Sequence, residues 1–282
     1  MIHAFSTGQV QITQRWLAGQ GQGITRLART LLDGAFSDWL PIWCFVIEHD
    51  DGVIVVDTGI NTTANDSMYF PPFMPLVQRA AKFQISRDQE LDRQMLAAGL
   101  DPNDVRYVVL THLHQDHDGG LHHFPNAEFI VSAAEWHAAQ GLRGRFDGYL
   151  NHKWFQGFSP TTIQFQESAF GAFDQSYPLL DGITLVPTPG HSAGHLSVID
   201  HRFETMAIFA GDVAYSFDAL ANYTLDGVTK DLDAALRSMQ CLMKTMQRTP
   251  SILLPSHDPD SAERLTMFNQ KFFSNIVDVS TM

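Results

Sequence analysis

Cysteine is scarce. The chain of 282 residues holds two, Cys44 and Cys241, with no CxxC pair. Both lie in apolar surroundings, so they are expected to fill core space rather than form a disulfide or a cysteine-built structural zinc. Basic residues are also few. Eighteen Lys and Arg stand against 31 Asp and Glu, a formal charge of -13, which argues against nucleic acid or an anionic membrane as a general partner. A locally positive pocket that holds metal cations remains compatible with that balance. No run of about 18 apolar residues occurs, so no membrane-spanning helix is expected. The opening MIHAFSTGQVQITQRW lacks a basic and then an apolar region, which makes the cytoplasm the expected compartment. A dinucleotide-binding glycine fingerprint and a phosphate-binding glycine–lysine loop are both missing.

What is present centres on residues 105–120, VRYVVLTHLHQDHDGG. An apolar run with hydrophobic residues on both faces reads as a buried strand. It ends in His112, His114, Asp116 and His117, followed at once by two glycines. Imidazoles two apart on an extended segment point the same way. An Asp and a His just past the turn can reach a second point nearby, which suits a pair of metal ions better than one structural zinc. A lone histidine at a strand end would normally be a satisfied core residue; four donors this close together would not.

The rest of the chain, 44% hydrophobic, has ample core material. Residues 1–17 and 24–32 are mixed and are expected to form edge strands or a hairpin. Ile42–Ile47 and Val53–Val56 flank the turn signal His49-Asp50-Asp51-Gly52 and predict an antiparallel hairpin. Asp57, at the end of the second run, either braces the metal-bearing loop or is a simple turn carboxylate. Residues 61–87 form a long connection carrying Met68, Tyr69, Phe70, Phe73 and Met74. They suit a lid, a dimer contact or a segment buried in its own domain. Ser86 and Gln89 have capping-box spacing ahead of a helix with Leu91, Met95 and Leu96 on one apolar side, ended by Gly99. His122 and His123, beyond the glycines, read as surface residues or supports rather than ligands. A second aromatic-rich stretch, 142–178, is expected to line one apolar cleft with the first. Strands at Ile183–Pro187, Leu196–Ile199, Thr205–Phe209 and Ile252–Leu254 lead to TPGHSAGH, AGD and PSHD. Between 229 and 247, apolar residues at three-and-four spacing predict a helix whose methionines fill core. A last helix is expected from about Asp260. Every candidate ligand sits where a strand runs out, which calls for two packed sheets covered by helices and a site along one edge.

These motifs resemble those of the metallo-β-lactamase superfamily. HxHxDH is His112, His114, Asp116 and His117; the later single ligands match His191 in TPGHSAGH, Asp212 in FAGD and His257 in LLPSHD. The resemblance implies an α/β (α+β) fold, a four-layer αββα sandwich, formed by a single domain over residues 1–282. It implies that His112, His114 and His191 bind one metal, that Asp116, His117 and His257 bind the other, and that Asp212 bridges them. Imidazole and carboxylate accept zinc first, with cobalt, iron or manganese as alternatives. Within the superfamily the chain looks most like the N-acyl homoserine lactone lactonases, and Tyr215 in GDVAY carries that narrower match. The resemblance then implies that a metal-bridging hydroxide opens the lactone ring. Tyr215 would direct its hydroxyl at the carbonyl and Asp116 would carry the proton for the leaving oxygen. The plain alternative for Tyr215 is a pocket-wall or core tyrosine. Gln115 departs from the pattern, since lactonases of this type often place a bulky aromatic there beside the acyl chain. The small-molecule lactone is the expected partner, and a homodimer is common among such enzymes. A glyoxalase II-like thioesterase is the nearest rival; it would need cations for the glutathione carboxylates, and the sequence shows no basic cluster to supply them.

Overall fold

The computed structural model describes residues 1–66 and 69–273. Met68, expected among the side chains of a lid or dimer contact, lies outside them. Two sheets carry the fold. The first contains β1 (Ile2–Ile12), β2 (Leu40–Ile47), β3 (Val53–Val56), β4 (Ala81–Gln84), β5 (Val105–Val109), β6 (Glu128–Ser132) and β7 (Thr161–Ile163), in the order β4-β1-β2-β3-β5-β6-β7. The second contains β8 (Tyr177–Leu180), β9 (Ile183–Pro187), β10 (Leu196–Asp200), β11 (Met206–Gly211) and β12 (Ser251–Pro255), in the order β12-β11-β10-β9-β8. Both are mixed. The β2–β3 hairpin is antiparallel, whereas β3, β5, β6 and β7 run parallel, as do β11 and β12.

The helices are α1 (Gln14–Leu17), α2 (Gly23–Leu31), α3 (Pro75–Ala80), α4 (Leu91–Ala97), α5 (Gln115–Asp118), α6 (Ala133–Ala138), α7 (Gly141–Phe146), α8 (Phe217–Ala221), α9 (Leu232–Arg248) and α10 (Ser261–Phe273). Alternation along the strands creates the layers. Phe45, Ile47, Ile54, Val56 and Val109 face Leu185, Val198, Phe209 and Leu254 across the gap between the sheets. Val46, Val55, Val108 and Leu110 point the other way and pack with Leu91 and Met95 of α4. Val186, Ile199 and Ile208 of the second sheet meet Met239 and Leu242 of α9 on its outer face. The result is the αββα sandwich. No helix among the described residues is long and apolar enough to cross a membrane.

Several expectations are corrected. β1 is not an edge strand: it pairs with β2 on one side and β4 on the other. Residues 24–31 are helical, not extended, with Arg26, Thr30 and Leu31 on the buried side of α2. Leu96 is exposed, so the apolar side of α4 is carried by Leu91 and Met95. The connection 61–87 is partly regular, holding α3 and the edge strand β4, and it buries Tyr69, Phe70 and Met74 in a core of its own. The stretch 142–178 does not act as one wall. Phe146 reaches the cleft, but Phe158 and Trp154 pack beneath the first sheet, Phe165 joins the core between the sheets, and Phe173 packs with α9. Aromatics spaced irregularly along a chain carry no signal for which layer each will meet. Cys44 and Cys241 are both free thiols.

Candidate metal centre

The site forms where strands of both sheets end at the same edge of the sandwich. Residues after β5 provide His112, His114, Asp116 and His117; the β9–β10 loop provides His191; the end of β11 provides Asp212; and the end of β12 provides His257. Local backbone demands are visible at two glycines. Gly190 has φ +140, and a Cβ there would lie 2.3 Å from the backbone of Ala235 in α9. Gly211 has φ +57, and its Cβ would lie 2.6 Å from Nε2 of His195. Only glycine meets both conditions.

His112 Nε2 lies 3.0 Å from His114 Nδ1, which lies 3.1 Å from His191 Nε2. Ligand nitrogens about 2.0–2.1 Å from a tetrahedral zinc stand roughly 3.3 Å apart, so this convergence is on the scale of a ligand set. A second group faces it. His117 Nε2 and His257 Nε2 are each 3.4 Å from Asp212 Oδ1, and His257 Nε2 is 3.5 Å from Asp116 Oδ2. The other Asp212 oxygen, Oδ2, is 3.6 Å from His191 Nε2, so this carboxylate spans both groups. His112, His114 and His191 form one cluster able to hold a cation; Asp116, His117 and His257 form another, and Asp212 groups with His112 and His117. Buried atoms His117 Nε2, His257 Nε2 and Asp212 Oδ1 make no hydrogen bond. Buried polar atoms seldom stay unpaired, and a pair of cations would satisfy all three. The donor set fits the group.

The imidazoles of His117, His191 and His257 are each turned by a bond on the far nitrogen, which fixes which nitrogen faces the cluster. Asp57 Oδ2 is 2.8 Å from His117 Nδ1, Asp226 Oδ2 is 3.0 Å from His191 Nδ1, and the Pro41 carbonyl is 2.9 Å from His257 Nδ1. Asp57 therefore braces the loop rather than simply ending a strand. Asp226 also accepts from Val228 N and Thr229 Oγ1, and its carbonyl takes Arg26 Nη2 of α2 at 2.6 Å. Glu135 of α6 ties the loops together, accepting from Leu113 N, Ser192 Oγ and Gly194 N. Asp226 and Glu135 went unread in the sequence. Both are carboxylates outside any ligand motif, and their only distinguishing property, burial, belongs to the fold.

The electrostatics follow from this wiring. Burial holds His112 and His114 well below the usual imidazole range, and neighbouring histidines reinforce it. Burial would lower His117, His191 and His257 too, but their carboxylate partners, Asp57 and Asp212 for the first, Asp226 for the second and Asp212 for the third, raise all three. Burial pushes Asp118 up to about 8 despite a 2.6 Å bond from Trp154 Nε1. His195, next to the cluster, is no ligand: its Nε2 accepts from Asp212 N, and burial lowers it to about 3. Glu90, His122 and His123 also lie within ligand reach of one another, but Arg87 donates to Glu90 and Asp92, which marks that group as an ion-pair network.

Tyr215 is buried with its ring stacked on His257, centroids 5.1 Å apart, and its hydroxyl accepts from Trp16 Nε1 at 3.1 Å. It lines a small cavity of about 30 Å³ with His114, Asp116, His191, Asp212 and His257. An apolar cavity of about 370 Å³ adjoins it, walled by Trp16, Leu31, Phe73, Leu76 and Phe146 among others. Both aromatic-rich stretches thus contribute to one cleft, the second through residues 146–148 alone.

A two-sheet sandwich with a histidine–aspartate cluster at its edge defines a known class, and the chain belongs to it: residues 37–257 match the model of the metallo-beta-lactamase superfamily. Among curated relatives, an N-acyl homoserine lactonase of a Bacillus species is 28% identical over 252 residues, covering 85% of this chain and 89% of the relative. An N-acyl homoserine lactonase of Agrobacterium fabrum is 29% identical over 233 residues, covering 79% and 83%. A solved N-acyl homoserine lactone hydrolase, with the product N-hexanoyl-L-homoserine at its catalytic metal centre, superposes with a TM-score of 0.75 at 22% identity, covering 93% of this chain and 94% of that one.

Proposed function

We propose that this protein is a metal-dependent hydrolase that opens the lactone ring of N-acyl homoserine lactones. The observation that carries the reading is the junction of two cavities: the one over the histidine–aspartate cluster meets an apolar one, suited to a ring ester with an acyl tail. Lactonase relatives over most of the chain's length support it. In this reading His112, His114 and His191 would hold one divalent cation and Asp116, His117 and His257 the other, with Asp212 placed between the two groups. Zinc suits the donors best, with cobalt, iron and manganese also accepted. Two such cations, when bound, supply a nucleophilic hydroxide at neutral pH and withdraw charge from the ester carbonyl.

The chain's own groups do the rest. Trp16 donates to the Tyr215 oxygen, which leaves the Tyr215 proton free to point at the substrate carbonyl oxygen as negative charge develops there. Burial raises the Tyr215 pKa well above its ordinary value, so the group stays a donor. Asp116, at the rim of the cluster, would take the proton of the attacking hydroxyl group and deliver it to the departing ring oxygen, so that carboxylate and alcohol result. Aromatic and aliphatic walls offer the acyl chain apolar surface, part of it exposed until a chain covers it.

The test is acid release from short- and long-chain N-acyl homoserine lactones by metal-loaded protein, beside a γ-lactone lacking the amide and a glutathione thioester. Fast turnover of the acylated lactones, abolished by a chelator, is expected. Turnover of the thioester alone would transfer the assignment to a glyoxalase II-like activity. The lining of the apolar cavity speaks against that outcome, because its one cation, Lys230, is paired with Asp147 at 2.9 Å.

A further inference from the structure

Gln115 opens α5 between His114 and Asp116, and it is only 8% exposed. It lines three cavities: the one over the cluster, the apolar one, and a third of about 230 Å³ bordered by Asn61, Asp118, Lys153 and Trp154. Among the described residues, nothing hydrogen-bonds to its carboxamide. Its position matters because three residues, Trp16, His114 and Gln115, line both the cluster cavity and the apolar cavity. These form the passage between ring and tail. His114 turns Nδ1 to the histidine cluster, and the Trp16 N–H goes to Tyr215. The Gln115 carboxamide, with neither its donor nor its acceptor paired among the described residues, is an uncommitted hydrogen-bonding group of the passage.

A plain methylene chain threaded past it would cover the amide and leave it without a partner, which is costly in a buried setting. An oxygen on the chain at that point would accept from the amide nitrogen. With the ring over the cluster, as the lactonase reading has it, the substrate's own amide would fall on the cluster side and the acyl carbons that follow would pass residue 115. We propose that Gln115 selects N-acyl homoserine lactones that carry an oxo or hydroxyl group on the third carbon of the acyl chain. This rests on the lactonase reading and narrows its substrate class. Sites built to hydrogen-bond a substrate group discriminate far more sharply than apolar walls do.

The experiment compares kcat and KM of the metal-loaded protein for pairs of lactones of equal chain length, with and without the 3-oxo group. The expected result is a kcat/KM about 10-fold higher for the oxo member, expressed mainly in KM. Gln115→Leu, with metal content and thermal midpoint checked, is expected to erase the difference; Gln115→Met serves if the leucine variant loses its metals. Equal values for the wild-type pair, or a Gln115→Leu that weakens both members alike, would overturn the selection and leave the lactonase reading standing. No turnover of either member would overturn both.

Discussion

Asp57 and His117 meet through a 2.8 Å contact between Oδ2 and Nδ1, both side chains buried, with Asp57 in left-handed backbone at φ +59. The same carboxylate accepts from the backbone N–H and the hydroxyl of Thr111. A non-glycine residue held at positive φ costs free energy, and these bonds are what hold it. They fix the face of the imidazole: with Nδ1 occupied by Asp57, Nε2 is left for the cluster.

Asp57→Asn should therefore weaken metal binding without touching a ligand. A loss of about 10- to 100-fold in affinity is expected, measured by competition with a chromogenic chelator. Wild-type affinity would show that His117 is oriented by its surroundings alone.

Glu135 links two loops that bear ligands, and its removal strands three buried donors: Leu113 N, Ser192 Oγ and Gly194 N. Glu135→Ala should cost about 3 kcal/mol or more in denaturant unfolding of the metal-free protein. A change below about 1 kcal/mol would mean that the loops hold each other without it.

Protons and metals compete for the same nitrogens. In the metal-free protein, carboxylate partners raise His117, His191 and His257, so these groups keep protons to higher pH than ordinary histidines. A ligand imidazole must be neutral. Affinity is thus full above the raised values and falls as pH drops through them, and loading near neutrality releases protons. Titration calorimetry in buffers of different ionisation enthalpy reads that release directly; an enthalpy independent of buffer would refute it.

Tyr215→Phe removes one hydroxyl and keeps the ring that stacks on His257. Turnover of a good lactone should fall about 10- to 100-fold with metal content unchanged. An unaltered rate would leave Tyr215 as a wall residue only.

The sequence by itself determined which residues could serve as metal donors. Histidines two apart at the end of a buried strand, with an Asp and a His just beyond, have few uses besides binding metal, and the β2–β3 hairpin and the α9 helix were legible because their periods are strong. Tertiary structure alone decided what orients and bounds the site. Asp226 and Glu135 lie far in sequence from the ligands they serve, and α2 braces the centre from the other end of the chain through Arg26. The apolar residues of α2, Ile24, Leu27 and Leu31, do recur at helical spacing, but the fold leaves Ile24 and Leu27 exposed and buries Arg26 and Thr30, which no stripe rule would choose. The meeting of three cavities at Gln115 was equally out of reach. A spacing rule reports which residues share a face of one element, whereas a passage is made by elements that only folding brings together.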